Sequence, residues 1–301
     1  MPRFATALDL SQLAPPDVID RLDYEAIRAA LIADFKTRVP DYDVEMLESD
    51  PAVKLLEVAA YRELILRALI NDKVRALLLA AAKHADLDQL GVYYGVVRLT
   101  ITPATGTGPA VMESDEALRQ RIQLAPEAFS TAGPPGAYEF HVLSADPVIK
   151  SVGVYAHGES ELRPGEVRIY LLARTGDGPP APALIEKVIA YLKAGGDKLP
   201  ATDMVSVLPA QVVPYQVHAV LSLPPGPDPL IVRQKAEAAL AAYTASRHIV
   251  GAGVPLSGLS RAAFADGVEA VTIITPAADI MGAMGAAPFC SDIQVSTRIL
   301  S

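Results

Sequence analysis

Histidine is the side chain most often used for metal binding and proton transfer, so its spacing is the first test for chemistry. The chain contains His84, His141, His157, His218 and His248. No two of them have the short separation that places two ligands on one metal ion, and neither HExxH nor HxH is present. The sequence therefore predicts structural or surface histidines, no metal site and no metal cofactor.

A nucleophilic serine would need a nearby base and an orienting carboxylate. The GxSxG motif is absent, and Ser257, His248 and Asp266 form a trio of a kind that any chain of this size offers. A pair of carboxylates acting as acid and base stays open, because the sequence does not show which carboxylates meet in space. The GTG at 106–108 lacks the pattern of a phosphate-binding loop, so no nucleotide cofactor is predicted.

The densest chemical cluster is Tyr138, Glu139, Phe140 and His141, which follow the Pro/Gly-rich stretch STAGPPG at 130–136. Such a cluster could form an active site, a packing corner or a surface that meets another protein. Because the hinge redirects the chain into a helix, we expect packing at a domain junction, with Tyr138, Phe140 and His141 as the junction or interface residues. Direct contact with another subunit is the next alternative.

Composition excludes several classes of function. Among 301 residues the net charge is −9, with no basic run, so no nucleic acid is expected as a partner. Cys290 is the one cysteine, which excludes a disulfide within the chain. The apolar run Ala76–Ala82 is far shorter than the ~20 residues of a membrane span, and no secretory signal is evident. We expect a soluble chain with no membrane partner, made in a cytoplasm-like compartment.

The elements that must position these residues begin with two helices. Asp23 can cap a first helix that ends at Pro40, and Asp50 with Pro51 starts a second. The second runs to about Ala85 without Gly or Pro, which at 1.5 Å per residue predicts a rod on the order of 50 Å. Its apolar stripe is too wide for the short first helix to cover, so partner helices from other chains are expected. The residues expected to bind them are Leu55, Val58, Arg62, Ile65, Leu66, Leu69, Ile70, Lys73 and Leu77.

The rest of the chain alternates strands and helices, which predicts an α+β class with a long-helix arm followed by small α+β domains in series. The expected divisions are an N-terminal helical arm at 1–95, a central linker region with helices at 96–150, a first α+β domain at 151–213 and a second at 214–301.

Three long segments give the chain a family resemblance: ESDPAVKLLEVAAYRELILRALINDKVRALLLAAAKHADLDQLGVYYGVVR, ESDEALRQRIQLAPEAFSTAGPPGAYEFHVLSADPVIKSV and VVPYQVHAVLSLPPGPDP. Together they resemble the baseplate J family, the baseplate wedge proteins of contractile-tailed phages and phage-tail-like bacteriocins. The resemblance runs in the same order from about Ile19 to the C-terminus. The segment Thr102–Glu113 is short where some relatives carry a larger β-rich insertion.

The resemblance implies a structural protein without enzymatic activity. It implies that two copies join one copy of a second wedge protein through a shared helical bundle. It also implies that the C-terminal domains contact neighbouring wedges and close a sixfold ring around the tail hub, near the sheath-initiator proteins. The location implied is the virion tail baseplate, assembled in the bacterial host cytoplasm.

Two other classes of function remain as alternatives at this point. One is a tail-associated cell-wall hydrolase, which would need an open carboxylate pair or a metal cluster. The other is a free-standing oligomeric module that binds a host receptor or a glycan, although the absence of Trp and the dispersed tyrosines weaken a carbohydrate platform.

Overall fold

The computed structural model describes residues 10, 13–14, 16–41, 50–106, 108–130, 132–156, 158, 162–194, 198–226 and 228–300. The chain forms two compact units, Leu8–Tyr93 and Tyr94–Ser301. The first unit is helical in its described part, whereas the second contains small sheets with helices. The α+β class predicted from the sequence is confirmed.

The described part of the N-terminal unit contains three α-helices: α1 at Tyr24–Arg38, α2 at Pro51–Ala76 and α3 at His84–Val92. The Asp23 carboxylate accepts a hydrogen bond from Ala26 N at 3.0 Å and caps α1. Asp50 accepts one from Ala52 N at 2.8 Å, and Pro51 occupies the first position of α2. Both starts follow from the sequence, because these side chains satisfy amide groups that the first turn leaves unpaired.

The expected continuous rod from Pro51 to about Ala85 is wrong. The helix α2 has 26 residues, which is about 39 Å, and it ends in turns between Leu77 and Ala81. The chain then starts α3 at His84, and both Ala82 and Leu87 become buried. Burial of these side chains overrides the high helix propensity of the alanine- and leucine-rich run, since propensity is worth only tenths of a kcal/mol per residue.

The second unit starts with a hairpin and two packed helices. These elements are β1 at Thr100–Thr102, β2 at Val111–Met112, α4 at Asp115–Leu124, a 3₁₀ helix at Ala125–Phe129 and α5 at Pro135–Ala145. Ser114 caps α4 by accepting a hydrogen bond from Ala117 N, as its sequence position predicts.

A three-stranded sheet follows, formed by β3 at Ile149–Tyr155, β4 at Glu166–Ala173 and β5 at Met204–Pro209. β4 is the central strand; it pairs antiparallel with β3 and parallel with β5. The helix α6 at Pro182–Lys193 makes the crossover between the two parallel strands. Helices α4 and α5 contribute Leu124, Tyr138 and Val142 to the core of this sheet. The helices α4 and α5 of the expected central linker region are therefore part of the same packed core.

A second three-stranded sheet has the order β7-β6-β8. Its strands are β6 at Gln211–Leu223, β7 at Ala270–Thr275 and β8 at Ala286–Ile299, with the helices α7 at Pro229–Arg247 and α8 at Leu256–Ala263. Side chains from β6, α7 and α8 form its core. The long edge strand β8 was not predicted, although it pairs with β6 over its whole length.

The two sheets pack on each other through buried Leu172, Ala210, Val250 and Ala287. Two expected boundaries lie inside strands: 150/151 falls within β3 and 213/214 within β6. Ala210 separates β5 from β6, so Pro214 does not start a new element; it is paired with Phe289 inside the sheet.

Candidate interaction surface

The outward face of α2 is a largely apolar surface that includes two cations, and we call it the α2 stripe. Each of its apolar members is between 42% and 74% exposed, although their side chains are large and aliphatic. A monomer rarely leaves such a contiguous patch uncovered unless it meets another surface. The α2 stripe consists of Leu55, Val58, Arg62, Ile65, Leu66, Leu69, Ile70, Lys73 and, at the C-cap of the helix, Leu77.

The opposite side of α2 shows why the stripe faces outward. Val53, Ala60 and Asn71 are buried, and α1 packs along α2. Asn71 donates to the Asp20 carbonyl oxygen at 2.8 Å and accepts from Asp20 N at 3.0 Å, so its amide is satisfied by the chain before α1. A polar residue satisfied in this way fixes the rotation of the helix about its axis. The α2 stripe is then directed away from the packing contact.

The four residues after the Pro/Gly hinge occupy α5 in different environments. Tyr138 is only 2% exposed and donates a hydrogen bond from its hydroxyl to the Asp203 carboxylate. Phe140 is half-buried and packs beside this core, with its ring 5.5 Å from that of His141. Tyr138 therefore fastens α5 to the segment before β5, and Phe140 and His141 lie nearer the surface.

The most enzyme-like feature of this region is the carboxyl group of Glu139. It accepts a hydrogen bond from Gln120 of α4 at 3.2 Å. The pKa of Glu139 is raised to about 7, mainly by burial and to a smaller extent by the nearby Glu127 carboxylate. The two carboxyl groups lie where α4, the 3₁₀ helix and α5 pack together. Protonation of the Glu139 carboxyl group therefore serves the packing of these elements.

Sequence reasoning missed a buried ion-pair network beside the hairpin. Arg121 donates to Glu113 Oε2 at 2.6 Å, to Ser144 Oγ at 3.2 Å and to the Val97 carbonyl oxygen at 3.2 Å. Both charged side chains are almost fully buried. The sequence feature that could have revealed the network is the spacing of Arg121, three residues after Leu118, which places the arginine on the apolar face of α4. The network holds the chain before β1 and after β2, where the hairpin joins the core.

The described histidines lie on separate elements, with His84 in α3 and His141 in α5. His248 is buried at the junction of the two sheets, where its Nδ1 lies 3.0 Å from Lys150 Nζ, and His218 lies on β6. His157 lies outside the described residues. Within the described ranges, no group of three His, Cys, Asp or Glu side chains is placed to hold a metal ion. No helix among the same residues is long and apolar enough to cross a bilayer.

Comparison with known proteins decides the family. Residues 48–105 match the baseplate J-like N-terminal domain, and residues 130–209 match the baseplate J-like central domain. The chain is 40% identical over 300 residues to the baseplate protein J of Escherichia phage P2, covering 96% of this chain and 97% of the relative. The chain belongs to the baseplate J family.

The two matched domains cover different parts of the structure. The baseplate J-like N-terminal domain, residues 48–105, includes the whole of α2 and therefore the complete α2 stripe. The baseplate J-like central domain, residues 130–209, includes α5 with Tyr138 and the sheet β3-β4-β5. The α2 stripe and the packed core around Tyr138 thus lie in two separately matched domains of the family.

Proposed function

We propose that this chain is a structural baseplate protein that acts as a wedge component of a contractile tail, in a phage or a phage-tail-like bacteriocin. The observation that carries the proposal is the α2 stripe, since its aliphatic side chains are exposed within the family's N-terminal domain. The relative from phage P2 is itself named a baseplate protein, which supports the same location. The role is one of assembly, without catalysis or a cofactor.

The α2 stripe supports a shared helical bundle with two copies of this chain and one copy of a second wedge protein. If partner helices cover ~1,000 Å² of apolar surface, the gross gain is on the order of 25 kcal/mol. Lost translational freedom and side-chain ordering offset much of that gain. The remainder is enough for a wedge that stays together once formed.

The sheet-containing unit makes the contacts between wedges in this proposal. A heterologous contact repeated around a rotation axis closes into a ring, here a sixfold ring around the tail hub and next to the sheath-initiator proteins. The exposed apolar residues Phe264, Met281 and Ile299 offer contact area on this unit. Wedges would form in the host cytoplasm before joining the baseplate, and the ring would rearrange when the tail contracts.

The test is co-expression of the full chain with the second wedge protein, followed by size-exclusion chromatography and limited proteolysis. We expect a stable complex in which residues 50–77 resist cleavage. Leu69→Gln should weaken the complex by at least about 30-fold, because an amide would replace an apolar side chain in the buried contact.

Leu230→Gln is the matched control, since Leu69 and Leu230 are both 51% exposed leucines on helices and lie in different units. Equal loss of wedge formation in both variants, or in neither, would contradict the proposed role of the α2 stripe.

A further inference from the structure

The α2 stripe carries two cations whose electrostatic role the apolar argument leaves open. Of the charges on α2, the cations are Lys54, Arg62, Arg67, Lys73 and Arg75, and the carboxylates are Glu57, Glu63 and Asp72. Only Arg62 and Lys73 lie among the exposed aliphatic residues. Their separation of 11 residues corresponds to about three turns, so both point to the same side of the helix.

The other cations of α2 are paired within the chain. Lys54 contacts Glu57 at 2.9 Å, Arg67 contacts Glu63 at 2.6 Å and Arg75 contacts Asp72 at 3.1 Å. These contacts engage each of the three carboxylates of the helix. No carboxylate among the described residues lies within ion-pair distance of Arg62 or Lys73, and both side chains are exposed.

This distribution opposes pairing of two copies through the α2 stripe. In a parallel pair, Arg62 would face Arg62 of the other copy and Lys73 would face Lys73, and like charges in a shared seam are repulsive. In an antiparallel pair, each cation would be covered by aliphatic residues without a carboxylate, and a buried unpaired charge is strongly unfavourable. Neither arrangement of two copies satisfies the two cations.

We propose that the α2 stripe binds an acidic amphipathic helix of a different protein, with carboxylates on its apolar face spaced to meet Arg62 and Lys73. This inference rests on the proposed assembly role and names the chemistry of the partner helix. The two cations act as specificity elements: they allow the acidic helix and reject a second copy. Two copies can then share one bundle only when the acidic helix lies between them.

The first test measures binding of the full chain to two synthetic helical peptides by fluorescence anisotropy. The peptides share one apolar seam and differ at two seam positions 11 residues apart, which carry Glu in one and Lys in the other. We expect the Glu peptide to bind at least about 30-fold more tightly, with an affinity that falls as salt is raised. Equal binding of both peptides, or binding of neither, would overturn the inference.

The second test measures self-association of the full chain by sedimentation velocity. Replacing both cations with Leu in the Arg62→Leu/Lys73→Leu variant should increase dimer formation by at least tenfold relative to wild type. The control Lys54→Leu/Arg75→Leu removes two cations from the same helix but outside the α2 stripe, and should leave self-association unchanged. If both double variants behave like wild type, the cations do not prevent self-pairing.

Failure of the proposed function has a different signature from failure of this inference. If the chain is not a wedge component, the wild-type protein fails to co-purify with the second wedge protein whatever the peptides show. If only the partner chemistry is wrong, the wild-type complex forms and the Arg62→Glu/Lys73→Glu variant forms it equally well. A complex lost in the charge-reversed variant but retained in Lys54→Glu/Arg75→Glu supports both.

Discussion

Removing Arg121 should destabilise the sheet-containing unit far more than removing a surface cation. In the folded chain, Arg121 Nη1 is 2.6 Å from Glu113 Oε2, and the two side chains are 6% and 5% exposed. The same carboxylate oxygen accepts a hydrogen bond from Leu99 N at 3.1 Å. Arg121→Met keeps much of the side-chain volume but leaves the Glu113 carboxylate buried without its cation.

The expected loss of stability follows from the Glu113 charge that remains in the core. Breaking a buried ion pair from one side costs about 3–5 kcal/mol, because the remaining charge is desolvated and uncompensated. Glu113→Gln combined with Arg121→Met leaves no charge at the site, so the double variant should lose at least ~2 kcal/mol less than Arg121→Met alone. Lys187→Met removes a cation 58% exposed and 2.7 Å from Asp146, and should cost under about 1 kcal/mol.

Urea unfolding of the full chain at pH 7, followed by circular dichroism, gives the free energies of unfolding. Amide hydrogen exchange of peptides covering 97–124 assigns the loss to the correct unit. The reasoning fails if Arg121→Met costs no more than Lys187→Met. It also fails if the double variant is as unstable as Arg121→Met, because the cost would then come from lost packing and hydrogen bonds.

Three further predictions concern proton binding and packing. The pKa of Glu139 is about 7 in the folded state against an ordinary value of 4.5, so the stability due to its proton is lost as pH rises from 4.5 through 7. At pH 8, Glu139→Gln should then have a free energy of unfolding in urea that exceeds that of wild type by up to about 3 kcal/mol. If the difference between variant and wild type is no larger at pH 8 than at pH 5, the prediction is refuted. Burial, and then Lys150, lower the pKa of His248 below 6.5, so the stability that the neutral imidazole contributes is lost as pH drops below 6.5. In a Glu139→Gln background, which removes the opposing carboxyl titration, adding His248→Gln should flatten the fall in stability below pH 6.5 in urea titrations. An unchanged slope would exclude His248 as its source. Leu87→Ala, at a fully buried position, should cost the N-terminal unit about 2–5 kcal/mol, seen as faster amide exchange in α3; exchange at the wild-type rate would contradict this burial.

Local signals account well for where helices start. Asp23, Asp50 and Ser114 each cap a helix as their sequence positions predict, because capping involves a side chain and an amide group only two or three residues away. The exposed α2 stripe also follows from the sequence, since helical periodicity fixes which residues share a face. The sequence indicated more apolar surface than α1 can cover.

Long-range packing decided what local patterns could not. The helix α2 ends at Ala76 although no Gly or Pro stops it, because the following turn lets Leu87 become buried. The strand β8 was missed because its place depends on pairing with β6, more than 60 residues earlier in the chain. Arg121 and Glu113 are eight residues apart, and their burial depends on contacts with Val97 and Ser144.

The sequence by itself determined the family, the α+β class and the set of residues on the α2 stripe, since these depend on residue order and helical period. Only the tertiary structure decided that this stripe faces away from α1 and that three of the five cations on α2 are paired within the chain. Ion pairing depends on rotamers and distances of a few ångströms, which spacing in the sequence leaves undetermined. That Arg62 and Lys73 are the two cations of α2 without an ion pair among the described residues is therefore a property of the folded chain.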